Sequence, residues 1–176
     1  MIVMSQKMES PMKKITVAKV VLNMGVGKSG EPIEKAKRAL LQISGQQPNT
    51  RAAKATQRDW GVHKGEPIGV AVTVRKQPAL ELIKRLVTAK GNQLKDSSFD
   101  EFGNISFGIR EHIDIPGVKY DPDVGIVGLN ISISLTRPGF NIRVRSKHKA
   151  SIGTHHRITS EHAKEFMAHE FGVQVI

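Results

Sequence analysis

The sequence of 176 residues contains no cysteine, which excludes disulfide bonds and thiol catalysis and fits a reducing compartment. No apolar run approaches the roughly 18 residues that a membrane-crossing helix needs. The first fourteen residues also lack the continuous apolar stretch and the cleavage site of a secretory signal. These absences together predict a cytoplasmic protein that does not cross a membrane.

Acidic residues are missing from two long stretches of the chain, residues 35–58 and 124–160, although both are rich in Lys and Arg. The formal net charge is +11 and the pI is about 10.1. Such a basic balance favours a nucleic acid or an anionic membrane surface as partner. A peripheral membrane protein would need a basic amphipathic helix. The predicted helix at 31–44 is mixed in charge, so a nucleic acid is favoured.

The clearest structural pattern is an alternation of apolar and polar residues from Leu129 to Arg145. Apolar residues take every second position up to Leu135, and the alternation resumes after Pro138 and Gly139. This pattern predicts two half-buried antiparallel strands. The polar face carries hydroxyls, amides and arginines rather than a mixture of Lys and Glu, which suits a polyanion. We interpret it as a sheet that docks RNA.

The rest of the chain predicts an α+β fold: one largely antiparallel β-sheet with helices packed on one face and an open polar and basic face. Further strands are expected at 15–24, 50–56, 66–76 and 104–110. Helices are expected from about residue 31 to Gly45, from Pro78 to Gly91 and at about 160–171. We expect residues 1–13 to form a flexible N-terminal arm and residues 14–176 to form a single RNA-binding domain.

The turn from Gly25 to Gly30 invites comparison with a phosphate-binding P-loop, because Gly27-Lys28-Ser29 follows a strand and precedes a helix. The full signature needs a glycine five positions before Gly27, where this sequence has Leu22. No acidic strand end is placed to hold magnesium either. A nucleotide-hydrolysing enzyme is therefore disfavoured. A phosphate contact at the helix N-terminus, beside Lys28, is the better interpretation.

No other pattern predicts a metal, a cofactor or catalysis. The late histidines have no cysteine, HExxH motif or carboxylate partner, so solvated or RNA-facing histidines are favoured over a zinc site. No pair of carboxylates lies at a strand end, and the trio Ser98, Asp100 and His112 is of a kind that any chain this long contains, so catalysis is not predicted. The open face lacks the paired aromatics of a single-strand platform, which favours structured RNA read by shape. The histidines in question are His148, His155, His156, His162 and His169.

Four ordered motifs are similar to those of a known family. They are NMGVG at 23–27, ISGQQP at 43–48, PIGVAVTVR at 67–75 and FDEFGNISFGIRE at 99–111. The chain resembles the family of ribosomal protein five of the large subunit, which binds 5S rRNA. The segments RPGF at 137–140 and HRI at 156–158 resemble the archaeal and eukaryotic branch.

The resemblance implies a non-catalytic ribosomal protein of the central protuberance, without a cofactor. It implies contacts with 5S rRNA, with large-subunit rRNA, with the P-site tRNA and, through an inter-subunit bridge, with a protein of the small-subunit head. Mapped onto this sequence, the 5S rRNA contacts fall on Asn23, Gly25, Lys28, Gln46, Thr50, Arg51, Lys54, Thr73 and Arg75. Contacts with other rRNA are expected at Arg143, Arg145, Lys147, Lys149, His155 and Arg157. The loop that faces tRNA is expected to use Arg58, Trp60, His63 and Lys64.

Overall fold

A computed structural model describes residues 10–176. Most of the predicted flexible arm, residues 1–9, lies outside the described residues, and Pro11–Lys13 form a single 3-10 turn. The regular elements in chain order are β1 (Thr16–Gly25), α1 (Glu31–Ser44), β2 (Asn49–Ala52), β3 (Pro67–Val74), α2 (Gln77–Ala89), β4 (Gln93–Leu94), β5 (Asn104–Ile109), β6 (Leu129–Thr136), α3 (Asn141–Val144), α4 (Ser160–Phe171) and β7 (Gln174–Val175).

Five strands form one antiparallel sheet in the order β2-β3-β1-β6-β5, and β4 and β7 form a separate parallel pair. Strand β1 is the middle strand of the five, with β3 paired to one of its edges and β6 to the other. The register brings the N-terminal end of β1 next to the C-terminal ends of β3 and β6. The loop between β2 and β3 and the segment after β6 therefore leave from opposite ends of the sheet.

The hydrophobic core lies on one face of this sheet. Every second residue of the strands points to it, so Leu22, Val72 and Ile133 are almost fully buried. Helices α1, α2 and α4 cover that face with their apolar stripes. The predicted α+β class, with helices on one side, is confirmed.

The helices begin and end close to the predicted residues because the signals are local. Gly45 takes the left-handed conformation that ends α1, with φ of 65°. Helix α4 begins at a capping box, in which the Thr159 side chain accepts a hydrogen bond from the His162 amide. Pro78 lies in the first turn of α2, where its missing N–H costs nothing.

The predicted strand after Pro138 and Gly139 is wrong. Residues Asn141–Val144 form one turn of helix, and Val144 is 80% exposed. Strand β6 is already paired on both edges, with β1 and β5, so a hairpin partner directly after it would find no free edge. The alternation over the six residues from Phe140 to Arg145 was too short to outweigh the lack of a free sheet edge.

The register of β3 gives a stability prediction. Val72 points into the core and is 4% exposed, whereas Thr73 lies on the open face. Val72→Ala is expected to lower the free energy of unfolding by about 1–3 kcal/mol, because a truncated core side chain leaves a cavity. Thr73→Ala is expected to change it by less than about 0.5 kcal/mol. Urea denaturation measures both, and the reverse order would place β3 one residue out of register.

Candidate nucleic-acid interface

The face of the sheet opposite the core is open and polar. Its central row, taken across four strands, consists of Ala71, Asn23, Asn130 and Gly108 in β3, β1, β6 and β5. A parallel row places Thr73, Val21, Ser132 and Ser106 side by side. Hydroxyl and amide groups in such rows donate and accept hydrogen bonds towards a flat partner.

Charge on the open face has one sign. Cations stand at its corners and edges, including Lys19, Arg51 and Arg75, and no strand residue of this face is acidic. Within residues 10–176, the ion pairs of Lys and Arg join residues of α1 and α4 to nearby acids and include none of these three cations. The open face therefore presents unneutralised positive charge.

Five of the nine residues predicted to bind 5S rRNA share this face. Asn23 and Gly25 lie on β1, Arg51 on β2, and Thr73 and Arg75 at the end of β3. They fall on three neighbouring strands, β2-β3-β1, so the structure brings them together.

The remaining four predicted 5S residues lie at the margins of the same three strands. Thr50 pairs with Val70 and therefore points to the helix side of edge strand β2, although it is exposed. Gln46 lies in the turn before β2, at the Arg75 end of the sheet. Lys28 and Lys54 follow β1 and β2 at the opposite end.

Polar open-face residues outside that prediction extend the surface. Lys19 lies on β1 and Asn49 on β2, and Asn130 and Ser132 continue the rows across β6. Their signal was present in the sequence as the same two-residue alternation that places Asn23 outward. Gly69 and Ala71 also have this parity, yet both are buried, because these residues are too small to emerge between the neighbouring strands.

The loop between β2 and β3 is an ordered hairpin tip. Gln57 and Val62 exchange both backbone hydrogen bonds, at 2.9 and 3.1 Å, around a short 3-10 turn that holds Trp60. Trp60 is 78% exposed, so it does not fold back on the base of the loop. The other predicted tip residues, Arg58, His63 and Lys64, are also exposed.

Glu66 fastens the base of this tip to the turn after β1. Its carboxylate accepts hydrogen bonds from the His63 amide at 3.0 Å and from the Ser29 hydroxyl at 2.7 Å. These two bonds, the amide contributing most, lower the pKa of Glu66 below its ordinary value. The carboxylate therefore stays charged at neutral pH and holds the tip in place.

The same turn does not form a phosphate-binding loop of the P-loop kind. The amides of Val26 and Gly27 both donate to the carbonyl of Ile68, at 3.0 and 2.9 Å, so they are occupied. Pro32 removes a further amide from the first turn of α1. Lys28 remains exposed and available for a phosphate contact.

The six residues predicted to contact other rRNA belong to one exposed segment after β6. Arg143, Arg145, Lys147, Lys149, His155 and Arg157 are all exposed, and within residues 10–176 none of them forms an ion pair. The structure brings them together at the Arg75 end of the sheet, away from the hairpin tip.

Arg137, which belongs to the same acid-free stretch, is not part of this exposed set. It is 7% exposed, and its guanidinium donates to the carbonyls of Arg157 at 3.2 Å and His156 at 3.5 Å. Two of the late histidines also have local partners: the His156 ring bonds to the carbonyl of Pro138, and the His162 ring meets Thr159. These side chains hold the segment in shape.

Fold and surface together define a class of protein: a basic α+β domain with an acid-free open sheet face and exposed cationic segments beside it, suited to a polyanion such as RNA. No helix within residues 10–176 is long and apolar enough to cross a bilayer.

Comparison with known proteins identifies the family. The family model of ribosomal protein L5 matches residues 10–63, and the model of the C-terminus of the same ribosomal family matches residues 67–169. The chain is 67% identical to the large ribosomal subunit protein uL5 of Nitrosopumilus maritimus, over 98% of this chain and 99% of that protein. It is 60% identical to that of Cenarchaeum symbiosum, over 96% and 100%. For Pyrobaculum aerophilum the identity is 46%, over 94% and 92%.

The chain belongs to the ribosomal protein L5 family, and these relatives are archaeal, as the segments RPGF and HRI predicted. As a family member it is a structural, non-enzymatic constituent of the ribosome and associates with rRNA in the large subunit. It therefore works in translation, within cytoplasmic ribosomes.

Proposed function

We propose that this protein binds 5S rRNA through the open face of β2-β3-β1 and helps to attach it in the central protuberance of the large subunit. The observation that carries the proposal is the acid-free open face, with Asn23 and Thr73 at its centre and Arg51 and Arg75 at its margins. Phosphates and 2′-hydroxyls are the groups that such amides, hydroxyls and arginines bind.

The geometry favours folded RNA over a single strand. The open-face positions of the five strands carry no aromatic side chain on which an unpaired base could stack. A flat polar surface instead matches the wide, shallow minor groove of an RNA helix, where 2′-hydroxyls line the groove.

We propose that the exposed segment from Arg143 to Arg157 binds large-subunit rRNA. It lies at the Arg75 end of the sheet, and its cations are free of ion pairs within the described residues. Two rRNA surfaces on one rigid domain would join 5S rRNA to the body of the subunit.

We also propose that the tip from Arg58 to Lys64 approaches the P-site tRNA. Within residues 10–176 Trp60 stays largely exposed on a hydrogen-bonded hairpin, and it is suited to stacking on a ribose or base. The family resemblance supports one more role, a bridge to a protein of the small-subunit head.

Filter binding with purified 5S rRNA tests the main proposal. At fixed salt, the protein should bind 5S rRNA at least about tenfold more tightly than an unrelated structured RNA of similar length, since charge alone binds any RNA equally. Equal affinity for the two RNAs would contradict it.

A separate prediction follows from the proposal that the open face binds 5S rRNA and the hairpin tip approaches tRNA. Replacing Arg58-Asp59-Trp60-Gly61 by Asn-Gly keeps the Gln57–Val62 pair and closes it with a two-residue turn. Affinity for 5S rRNA is expected to change less than about twofold, whereas tRNA binding to the P site of assembled ribosomes should weaken. A loss of affinity for 5S rRNA beyond about tenfold, or about 1.4 kcal/mol, would show that the tip takes part in 5S rRNA binding.

A further inference from the structure

A cleft of about 490 Å³ lies at the end of the sheet where β6 ends and β5 begins. We propose that this cleft receives one unpaired nucleotide of large-subunit rRNA, with its base against an apolar wall and its phosphate against three cations. The inference rests on the proposed contact of this segment with rRNA and specifies what that contact recognises.

The wall of the cleft is apolar and partly aromatic. Phe102 and Phe140 line it together with Ile152 and Ile158. Phe102 is 57% exposed, an unusual state for a Phe, whereas Ile158 is buried and forms the floor. Aromatic and aliphatic walls of this kind bind the flat face of a nucleobase.

The rim of the cleft is cationic. Arg143, Lys149 and Arg157 all line it, and none of its lining residues in the described part of the chain is acidic. Within residues 10–176 none of the three has an ion-pair partner. Apolar walls beneath a rim of three cations complement a nucleotide, which has a flat apolar face and an anionic phosphate.

The shape of the cleft is built into the fold. Arg137 donates to the carbonyls of His156 and Arg157, and the Nε of Arg157 donates to the carbonyl of Ile152 at 3.3 Å. The Ala150 amide reaches the carbonyl of Ile142 at 3.3 Å. Since these bonds lie within the protein, the cleft exists before RNA binds and loses little entropy on binding.

Size and chemistry together select the occupant. The volume of about 490 Å³ is in the range of pockets for one small ligand. A base pair inside a helix has both faces covered by its neighbours, so it has no free face for the apolar wall, whereas an unpaired base has one. An apolar segment of a protein would gain nothing from the three cations at the rim. The open sheet face meets folded RNA, and this cleft provides the aromatic contact for a single unpaired base that the face lacks.

The test uses an RNA hairpin with a single bulged 2-aminopurine nucleotide and the same hairpin without the bulge. Wild-type protein should bind the bulged hairpin about tenfold more tightly at fixed salt, the effect of stacking one base. The 2-aminopurine fluorescence should fall on binding. Phe102→Leu should abolish the preference and the quenching while keeping the wild-type melting temperature, because Phe102 is largely exposed.

Tyr120→Leu is the matched control, since Tyr120 is also 57% exposed but lies outside the cleft. It should leave the preference unchanged. Equal wild-type affinity for the two hairpins, the result expected if a protein segment fills the cleft, would overturn the inference. So would a preference that survives Phe102→Leu.

Binding of Phe102→Leu to 5S rRNA separates this inference from the proposed function, and that affinity should stay at the wild-type value. A protein that prefers the bulged hairpin but shows no affinity for 5S rRNA would refute the 5S proposal and support the cleft. A protein that binds 5S rRNA without preferring the bulge would support the 5S proposal and refute the cleft.

Discussion

Reversing two charges on the open face, by combining Arg51→Glu with Arg75→Glu, is expected to lower the affinity for 5S rRNA by about 100- to 10,000-fold at fixed salt. Each arginine removed costs a charge-assisted hydrogen bond of about 1.5–3 kcal/mol, and each new carboxylate adds repulsion. Both arginines are exposed, so the fold should survive the change. Filter binding measures the loss, and the salt dependence should become shallower because fewer phosphates are neutralised.

Arg38→Glu combined with Lys84→Glu is the control. These two cations are exposed on α1 and α2, the helices that cover the other side of the sheet, and the net charge falls by the same amount. The affinity of the control variant for 5S rRNA should fall by less than about tenfold, because only the long-range electrostatic attraction is weakened. If both double variants lose the same affinity, net charge and not the open face determines binding.

Gly103→Ala is expected to lower the free energy of unfolding by about 2–5 kcal/mol. Gly103 has φ of 73°, which costs a side-chain-bearing residue about 1–2 kcal/mol. A Cβ atom added there would also lie 2.5 Å from Cγ2 of the buried Ile158, so the core would have to shift. Such overpacking typically adds about 1–3 kcal/mol.

Gly91→Ala separates the two contributions. Gly91 has the same φ of 73°, but an added Cβ atom there would meet nothing within 4 Å. It should therefore cost only the backbone strain, about 1–2 kcal/mol. Thermal or urea denaturation of the two variants compares them, and equal losses would show that the contact with Ile158 does not limit stability.

Most of the fold could be predicted from local patterns. The alternation in β6 and in β5 is strict because each strand buries one face, and the structure follows it from Leu129 to Leu135. Helices α1 and α4 follow their caps, with Gly45 at the end of one and Thr159 at the start of the other. Local signals suffice where one residue decides whether an element starts or stops.

The predictions from sequence failed where contacts between distant parts of the chain determine the local structure. The alternation from Phe140 to Arg145 was real, but no sheet edge was free beside β6 to receive it. Arg137 lies in the same acid-free stretch as the exposed cations, yet it is buried, and its burial depends on a carbonyl twenty residues later in the chain. No short window of sequence contains that information.

The candidate interface was predictable only where a strand is long enough for its alternation to assign each residue to a face. Asn23 and Thr73 could be assigned to one face from strand parity, and the structure places them on neighbouring strands. Thr50 could not be assigned, because β2 is too short for its alternation to be decisive. The cleft was invisible in the sequence, since Phe102 and Phe140 are 38 positions apart and carry no shared motif.

The pairing of β1 with β6 has a consequence for how the chain forms during synthesis. Thr16 pairs with Thr136, 120 residues later. At about 5–20 residues per second, the ribosome that makes this chain needs roughly 6–24 seconds to supply that partner. Strand β3 follows β1 much sooner, since Val20 pairs with Val74.

The two halves of the sheet are therefore completed at different times. All nine predicted 5S residues lie within residues 23–75, so their strands and α1 are available for pairing while the second half is still being made. The cleft needs residues from Phe102 to Ile158 and comes later. In the growing chain the strands of the proposed 5S rRNA surface are therefore complete first, and the edge of β1 that pairs with β6 stays unpaired until β6 has been made.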